Sequence, residues 1–349
     1  MTPTPSLSIV IPVLDDAHLL DELLADLDRQ RDVEVDTIIV DGGSRDDPKS
    51  VASRHGARFF STDAGRATQM NSGADRARFE TLLFLHADCR LVDPWMLNRA
   101  VTDWRRRQTE DPDTDLAAHF EVEFVDGEGR RIDDFFYRFL AAKSKLCRPF
   151  TFNGDQGLLI AADFFDDLGG FDESLPFLED QRIDRRIRRR GDWIALDEKL
   201  RTSARRFEAE GKLQRYALMA VMMGALAVDF DALFEALPTL YVPHDETQPL
   251  EIGELMVRIF RFFNQLSLRR RWDLFLGVGR FVRQNAWQIF LALDVADTGP
   301  SRYLQLYARF VADQLDRRSL DIVAGVLTFI FFFAVIPTVD EKRLLPIST

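Results

Sequence analysis

Residues 6–16 read SLSIVIPVLDD, an apolar run rich in β-branched residues that stops at two aspartates. A run of this length and composition predicts a strand that is buried on both faces. Leucines at helical spacing follow it, at positions 19, 20, 23, 24 and 27. The opening of the chain therefore predicts a strand that leads directly into an amphipathic helix.

The same alternation of predicted strand and predicted helix continues along the first 90 residues. Apolar runs at 37–40 and 81–86 end at polar residues, the first at DGGS (41–44) and the second at Asp88. Strands that alternate with helices predict an α/β fold with a mainly parallel central sheet. Because ligands bind where the carboxyl ends of such strands meet, we expect these acidic loops to line a crevice.

Composition excludes several classes of protein. The 349 residues are 46% hydrophobic and 29% charged, which suits a large globular chain and not a disordered or polytopic membrane protein. A net charge of −12 argues against nucleic acid as a partner. Two cysteines without CxxC spacing favour a reducing compartment, and the amino terminus lacks a basic signal-peptide region. We therefore expect a cytoplasmic protein.

Two strand-end aspartates and one loop aspartate each have two interpretations. Asp41 is typical of a turn, or it accepts hydrogen bonds from a ligand base. Asp16 caps the following helix, or it faces the same ligand. Asp88 is a solvated strand end, or it holds a divalent cation that bridges phosphate oxygens.

Several further charged residues also have both a structural and a functional interpretation. Arg66 stands just before a predicted helix, where an arginine suits a phosphate. Glu179 and Asp180 precede five arginines at 182, 185, 186, 188 and 189, either as part of a salt-bridged helix or as the position of a general base. Arg205 and Arg206 could also reach a phosphate, or they are ordinary surface residues.

Taken in order, these pieces resemble glycosyltransferase family 2, whose members have a GT-A nucleotide-diphospho-sugar transferase fold. The resemblance covers roughly residues 6–241, from the opening strand to Glu179-Asp180 and beyond. Further pieces resemble the bacterial subfamily found beside radical-SAM and selenium-related genes. Those pieces are Gly65-Arg66, QMN (69–71), FLHAD (84–88), GDQG (154–157), GGF (169–171) and SARR (203–206).

The resemblance implies an inverting transferase that moves a sugar from a nucleotide-diphosphate donor to an acceptor hydroxyl, with Mg²⁺ or Mn²⁺ as cofactor. For the donor, it implies nucleoside contacts from Pro12, Asp16 and Asp41, phosphate contacts from Arg66, Arg205 and Arg206, and metal ligation by Asp88. For the acceptor, it implies Asp180 as the catalytic base, Glu179 beside it, and Gly154, Asp155 and Gln156 on the acceptor side. The acceptor itself is not identified.

Departures from the family pattern keep alternatives open. His86 replaces the first acid of the DxD-type motif, and Asp15-Asp16 replaces the more usual Asn-Glu. The Gln-x-x-Arg-Trp motif is absent, which argues against a processive polymer synthase. A catalytically silent protein that binds nucleotides or sugars is one alternative, and a nucleotidyltransferase is another. A dehydrogenase is disfavoured, because no GxGxxG follows a strand.

The carboxyl-terminal third differs from the rest of the chain in composition. We place a boundary between a catalytic domain, 1–241, and a helical, Phe-rich extension, 242–349. Between residues 255 and 290 the extension has seven arginines and one acid, interleaved with apolar residues, and residues 322–336 are uncharged and apolar. The extension therefore predicts peripheral contact with the inner face of a membrane, with a second internal core as the alternative. Residues 322–336 are either a core helix or a membrane-embedded segment.

Overall fold

The computed structural model describes residues 4–174, 177–240, 249–297 and 301–337, without the side chains of 237–240. The chain divides into two compact units, Met1–Ser203 and Ala204–Thr349. The boundary expected at 241 and 242 lies outside the described residues, and the two-domain division at that point stays a prediction.

The first unit is built on one eight-stranded sheet with the strand order β3-β2-β1-β4-β7-β6-β8-β5. The strands are β1 Ser6–Val13, β2 Glu34–Asp41, β3 Arg58–Ser61, β4 Thr81–Phe84, β5 Cys89–Leu91, β6 Asp115–Val125, β7 Leu158–Ala161 and β8 Gly191–Ser203. The helices are α1 Ala17–Asp28, α2 Pro48–Arg54, α3 Arg66–Ala74, α4 Met96–Glu110, α5 Phe135–Ser144, α6 Ala162–Asp167 and α7 Glu179–Arg190.

Strand pairing divides the sheet into two halves. The first four strands in spatial order are parallel to one another. Strand β7 runs antiparallel to both β4 and β6, β6 and β8 are parallel, and β5 closes the edge antiparallel to β8. The α/β class is confirmed, with a sheet that is parallel in one half and mixed in the other.

Strand β1 is central because both of its faces carry apolar side chains. Leu7, Ile9 and Ile11 pack in one core cluster with the leucines of α1 and with residues of α4. Val10 packs in the other cluster, with residues of α3, α6 and α7. Successive side chains of a strand point to opposite faces, so an unbroken apolar run marks a strand covered on both sides.

The second unit is helical, as the sequence predicts. Its helices are α8 Arg205–Glu210, α9 Lys212–Ala227, α10 Asp231–Leu240, α11 Ile252–Gln265, α12 Leu268–Gln284, α13 Trp287–Asp297, α14 Arg302–Leu306, α15 Ala312–Leu315 and α16 Arg318–Ile330. Two π-helical turns, Tyr307–Val311 and Phe331–Val335, follow α14 and α16.

Candidate active site

The carboxyl ends of β1 and β2 are held side by side by a buried amide. Gln69 on α3 donates hydrogen bonds from Nε2 to the carbonyl oxygens of Val13, at 2.9 Å, and Val40, at 2.8 Å. The N–H of Gly42 also donates to the carbonyl of Val13, at 3.0 Å. These bonds fix the first two acidic loops against each other, at the edge of the sheet where the strand pattern predicts a crevice.

Pro12 and Asp41 lie at these strand ends. Pro12 is buried in β1 opposite Val40. Asp41 ends β2, and its Oδ1 accepts a hydrogen bond from the N–H of Ser44 at 2.9 Å. The turn interpretation of Asp41 therefore holds, and its ligand role stays a prediction.

The loop after β1 separates the roles of two neighbouring aspartates. The Asp15 carboxylate accepts hydrogen bonds from the backbone and the guanidinium of Arg45, each at 2.7 Å, which lowers the pKa of Asp15. Asp16 occupies the N-cap position of α1 without a capping side-chain hydrogen bond. Asp46 accepts from the N–H of Ala17 instead, at 2.7 Å. Asp16 is therefore the N-cap residue of α1 by position, but the carboxylate that accepts the first helical N–H is that of Asp46.

The loop after β4 brings His86 and Asp88 to the site. His86 packs against the backbone of Gly154, where an added Cβ would lie 2.7 Å from two atoms of the imidazole. Asp88 is half-buried, and its charge helps to raise the pKa values of both Arg66 and Asp155. The structure thus brings Asp88 within electrostatic reach of two other predicted site residues.

Glu179 and Asp180 begin α7 and have different surroundings. Glu179 is buried, and its Oε1 accepts a hydrogen bond from Nη1 of Arg66 at 2.9 Å. This ion pair is the principal reason that the pKa of Arg66 is raised. Asp180 accepts hydrogen bonds from the N–H of Gly154 at 2.9 Å and from its neighbour Gln181 at 2.7 Å.

Burial raises the pKa of Asp180 to about 6, and the neighbouring charge of Glu179 adds to the effect. The two backbone hydrogen bonds and Arg66 oppose the rise. A small cavity with apolar side chains borders both acids and His86. The lining residues are Met70, Phe84, His86, Phe152, Gly154, Leu158, Phe171, Glu179 and Asp180. A desolvated carboxylate with a pKa near neutrality suits a general base.

The turn Gly154–Gln156 holds a second acid of this kind. Burial, Asp88 and Asp180 together raise the pKa of Asp155 to about 7. Within the described part of the chain, Oδ1 of Asp155 is buried and has no hydrogen-bond partner. Gln156 is also buried, and its amide donates to the carbonyl of Thr151 at 2.7 Å. Gln156 therefore builds the turn, whereas Asp155 adds a carboxylate to the site.

The carboxylates fit a hard divalent cation. No group of three or more His, Cys, Asp or Glu side chains that could hold a metal is found among the described residues. Two carboxylates nevertheless lie near each other: burial and the charge of Asp88 raise the pKa of Asp155, and Oδ1 of Asp155 has no hydrogen-bond partner among the described residues. Their oxygens are potential metal ligands. Mg²⁺ and Mn²⁺ take oxygen ligands, and Mg²⁺ is usually bound through one or two carboxylates plus substrate phosphates.

Not every predicted site residue belongs to this cluster. Arg66, Asp88, Asp155, Glu179 and Asp180 are linked by the contacts and charges above. Arg205 and Arg206 open α8, at the start of the second unit.

Sequence reasoning missed two contributions to the site. It did not identify the Gln69 clamp, although Gln69 lies in a quoted motif. It also did not pair Arg66 with Glu179, because the two residues are 113 positions apart. Nothing local in the sequence signals a pair at that separation.

The sequence matches a known family over residues 8–164, described as "Glycosyl transferase family 2". Relatives from Mycobacterium bovis and Mycobacterium tuberculosis, both named PGL/p-HBAD biosynthesis glycosyltransferase, are 36% identical to the chain over 102 residues. The alignment covers 27% of this chain and 40% of each relative. The chain thus spans well under half of the length of these relatives.

Solved structures of glycosyltransferases are similar at low identity. One is the mannosyltransferase PcManGT from Pyrobaculum calidifontis in complex with GDP-Man and Mn²⁺, with a TM-score of 0.48, 17% identity, and coverage of 95% of this chain and 88% of that chain. Another is TarS from S. aureus in complex with UDP, with a TM-score of 0.46, 14% identity, and coverage of 98% and 93%.

The family match begins in β1 and ends in α6, so it includes the strand ends that carry Asp41 and Asp88. The resemblance drawn from the sequence is supported over residues 8–164, and the family of the whole chain and its subfamily stay predictions. Residues 8–164 therefore match the model of glycosyl transferase family 2, a match that covers less than half of the chain.

Proposed function

We propose that this protein is an inverting glycosyltransferase that moves a sugar from a nucleotide-diphosphate donor to an acceptor hydroxyl. The observation that carries the proposal is the Asp180 carboxylate, whose pKa is raised to about 6 beside a cluster that contains Asp88 and Arg66. The family 2 domain and the names of the mycobacterial relatives support the same activity.

The donor is proposed to lie across the carboxyl ends of β1, β2 and β4. Pro12, Asp16 and Asp41 would contact the nucleoside. Arg66 would contact the diphosphate, whereas the phosphate role of Arg205 and Arg206 rests on the sequence resemblance alone. The Arg66–Glu179 pair supports this arrangement, because a guanidinium fixed by a carboxylate is oriented before the phosphates arrive.

A divalent cation, Mg²⁺ or Mn²⁺, is the proposed cofactor, held by Asp88 and by phosphate oxygens of the donor. When bound, such a cation balances the charge that develops on the departing nucleoside diphosphate. Arg66, which is held by Glu179, would add a second positive charge near the same phosphates.

Asp180 is the proposed base. Its carboxylate would take the proton of the acceptor hydroxyl as the acceptor oxygen attacks the anomeric carbon. The bond from that carbon to the diphosphate oxygen breaks in the same displacement, so the configuration inverts. Gly154 positions Asp180 through its N–H, and Glu179 acts indirectly, through Arg66. Gly154, Asp155 and Gln156 would form the acceptor side.

Membership of the radical-SAM- and selenium-associated subfamily, and a cytoplasmic location, are part of the same proposal. Both rest on the sequence motifs and on cysteine usage. They carry no information on the identity of the acceptor.

Calorimetric titration with nucleoside diphosphates tests the donor site. We expect one nucleoside diphosphate to bind at least roughly tenfold more tightly with Mn²⁺ than with a chelator, because the cation neutralises phosphate beside Asp88. Asp163→Asn, which changes an exposed carboxylate on α6, is the matched control and should bind like wild type. Absence of binding by any common nucleoside diphosphate, with metal present, would contradict the proposal.

A further inference from the structure

Helix α16 and the π turn after it have two contrasting faces. The segment Arg318–Val335 is long and apolar enough to cross a membrane by length and composition, yet only 11% of it is buried. Its exposed side chains are all apolar between positions 322 and 335. We call these residues the outer face: Ile322, Val323, Val326, Leu327, Ile330, Phe331 and Val335. Soluble monomers rarely expose a continuous apolar surface of this kind.

The opposite face of α16 is fixed against α12. A Cβ at Gly279 would lie 2.0 Å from the carbonyl oxygen of Asp321, so the two helix backbones are in close contact. The buried carboxylate of Asp321 pairs with Nε of Arg283 at 2.6 Å. Gly325 packs under the ring of Phe275. These contacts define which side of α16 is turned outward.

Helix α11, by contrast, uses its apolar face inside the second unit. Ile252, Leu255, Met256 and Ile259 are buried. Phe263 contacts Phe329 of α16, at 5.1 Å between ring centroids. The amphipathic pattern over 252–263 is therefore that of an internal core helix. Exposed apolar side chains occur on several helices of this unit, and α16 with its π turn carries seven of them between positions 322 and 335.

A basic and aromatic rim adjoins the outer face. Trp272 is 53% exposed and stacks on Phe275, which contacts Phe329 one residue before Ile330. Leu268, Arg269 and Arg270 precede Trp272 in α12 and are exposed. Arg269 makes no ion pair within the described ranges of the chain. We call residues 268–272 the basic rim.

Together, these observations favour a lipid surface over a second copy of the chain. A tryptophan and arginines beside an apolar face are the groups that lie at the headgroup level of a membrane. Anionic headgroups complement the basic rim, whereas an isologous contact between two copies would set like surface against like surface. Since the inner face of α16 is held by Asp321 and two glycines, the helix can embed on one side only.

We propose that the outer face of α16 embeds in one leaflet of an anionic membrane, with the basic rim at the level of the headgroups. The helix and π turn together are roughly 27 Å long at 1.5 Å per residue. Lying along the interface, such a face buries its apolar side chains about 5–10 Å into the headgroup and acyl boundary. The binding needs no donor and no turnover, so it is independent of the proposed activity.

Co-sedimentation of the full-length protein with vesicles tests this proposal. Vesicles of equal parts phosphatidylcholine and phosphatidylglycerol should bind the protein, and added salt should weaken the binding. Leu327→Glu should lower the partition coefficient roughly 10–100-fold, because an exposed leucine of the outer face is replaced by a charge. Arg269→Ala should lower it about fivefold, and only with anionic vesicles.

Leu213→Glu is the matched control, since Leu213 on α9 is 68% exposed and lies outside both the outer face and the basic rim. It should bind vesicles like wild type, and all variants should keep the wild-type circular dichroism. A wild-type protein that stays in the supernatant at low salt would overturn the proposal. Equal losses in Leu327→Glu and Leu213→Glu would also overturn it. So would a soluble dimer that Leu327→Glu converts to a monomer while vesicles bind neither form.

Discussion

Asp180→Asn is expected to lower donor turnover by roughly 10²–10⁴-fold, the range for loss of a general acid or base. Asparagine keeps the size of the side chain but cannot accept the proton of an acceptor hydroxyl. Nucleotide affinity should survive, because Arg66 is held by Glu179 and not by Asp180. The measurement is nucleoside-diphosphate release at saturating donor, beside a calorimetric affinity for the same nucleotide.

The pH dependence supplies an independent readout of the same residue. Because the pKa of Asp180 is raised to about 6, its carboxylate becomes protonated as the pH falls through that value, and the wild-type rate should fall with it. The asparagine variant should lack this acid limb. Glu179→Gln should mainly weaken donor binding, by releasing Arg66. If Glu179→Gln lowers turnover more than Asp180→Asn does, the base has been assigned to the wrong acid.

The fold should tolerate this change. A carboxyl whose pKa is raised on folding stabilises the native state below the pKa of the unfolded chain, and that contribution is lost as the pH rises through the folded value. At neutral pH the charged form of Asp180 is therefore a cost to folding. Asparagine relieves that cost but can accept only one of the two backbone hydrogen bonds, so we expect little net change in the free energy of unfolding, as measured by chemical denaturation.

Asp88→Asn should have the second large effect, a loss of roughly 10²–10³-fold in metal-dependent turnover. The amide removes the negative charge that is proposed to hold the cation against the donor diphosphate. The difference in nucleotide affinity between Mn²⁺ and chelator should disappear as well. Since Asp88 helps to raise the pKa of Asp155, that pKa should fall in the variant.

Glu80→Gln is the matched control for this substitution. Glu80 is exposed and stands immediately before β4, at the end of the strand away from Asp88. It should keep wild-type turnover and wild-type dependence on Mn²⁺. An Asp88→Asn variant with wild-type rates and an unchanged response to chelator would contradict the proposal that Asp88 holds a divalent cation.

The strand ends could be predicted from the sequence because the signal is local. An apolar run that stops at polar residues, such as residues 6–16, marks both the strand and the edge at which it ends. Asp41 and Asp88 were identified in this way, whereas the Glu179-Asp180 pair was identified at the start of a basic helix. The pKa and the hydrogen-bond partners of each side chain could not be predicted from the sequence, because they depend on residues that are distant along the chain.

The environments of Asp16 and Asp155 could not be predicted from neighbouring sequence. Asp16 occupies the N-cap position, but Asp46 caps the helix, because the loop after β2 folds back onto it. Asp155 lies in a polar turn that could equally be solvated. Only the assembled site gives it a buried oxygen without a partner and two acidic neighbours.

The helical unit illustrates a different limit. Periodicity identified both the amphipathic helix α11 and the apolar stretch that became α16. It could not decide which apolar face is covered, because an apolar stripe is the same in sequence whether a core or a lipid covers it. The contact of Phe263 with Phe329 shows that the second unit covers part of the apolar face of α11, whereas Leu327 of α16 is exposed.

The most direct test of the central claim is nucleoside-diphosphate release from a panel of nucleotide sugars, measured for wild type and for Asp180→Asn with Mn²⁺ and with chelator. Wild type is expected to turn over at least one donor with Mn²⁺ and to lose that turnover with chelator. Asp180→Asn should bind the same nucleotide and release almost none. Nucleotide binding by wild type without release from any donor, in the presence of candidate acceptors, would contradict the account and identify a silent binding protein.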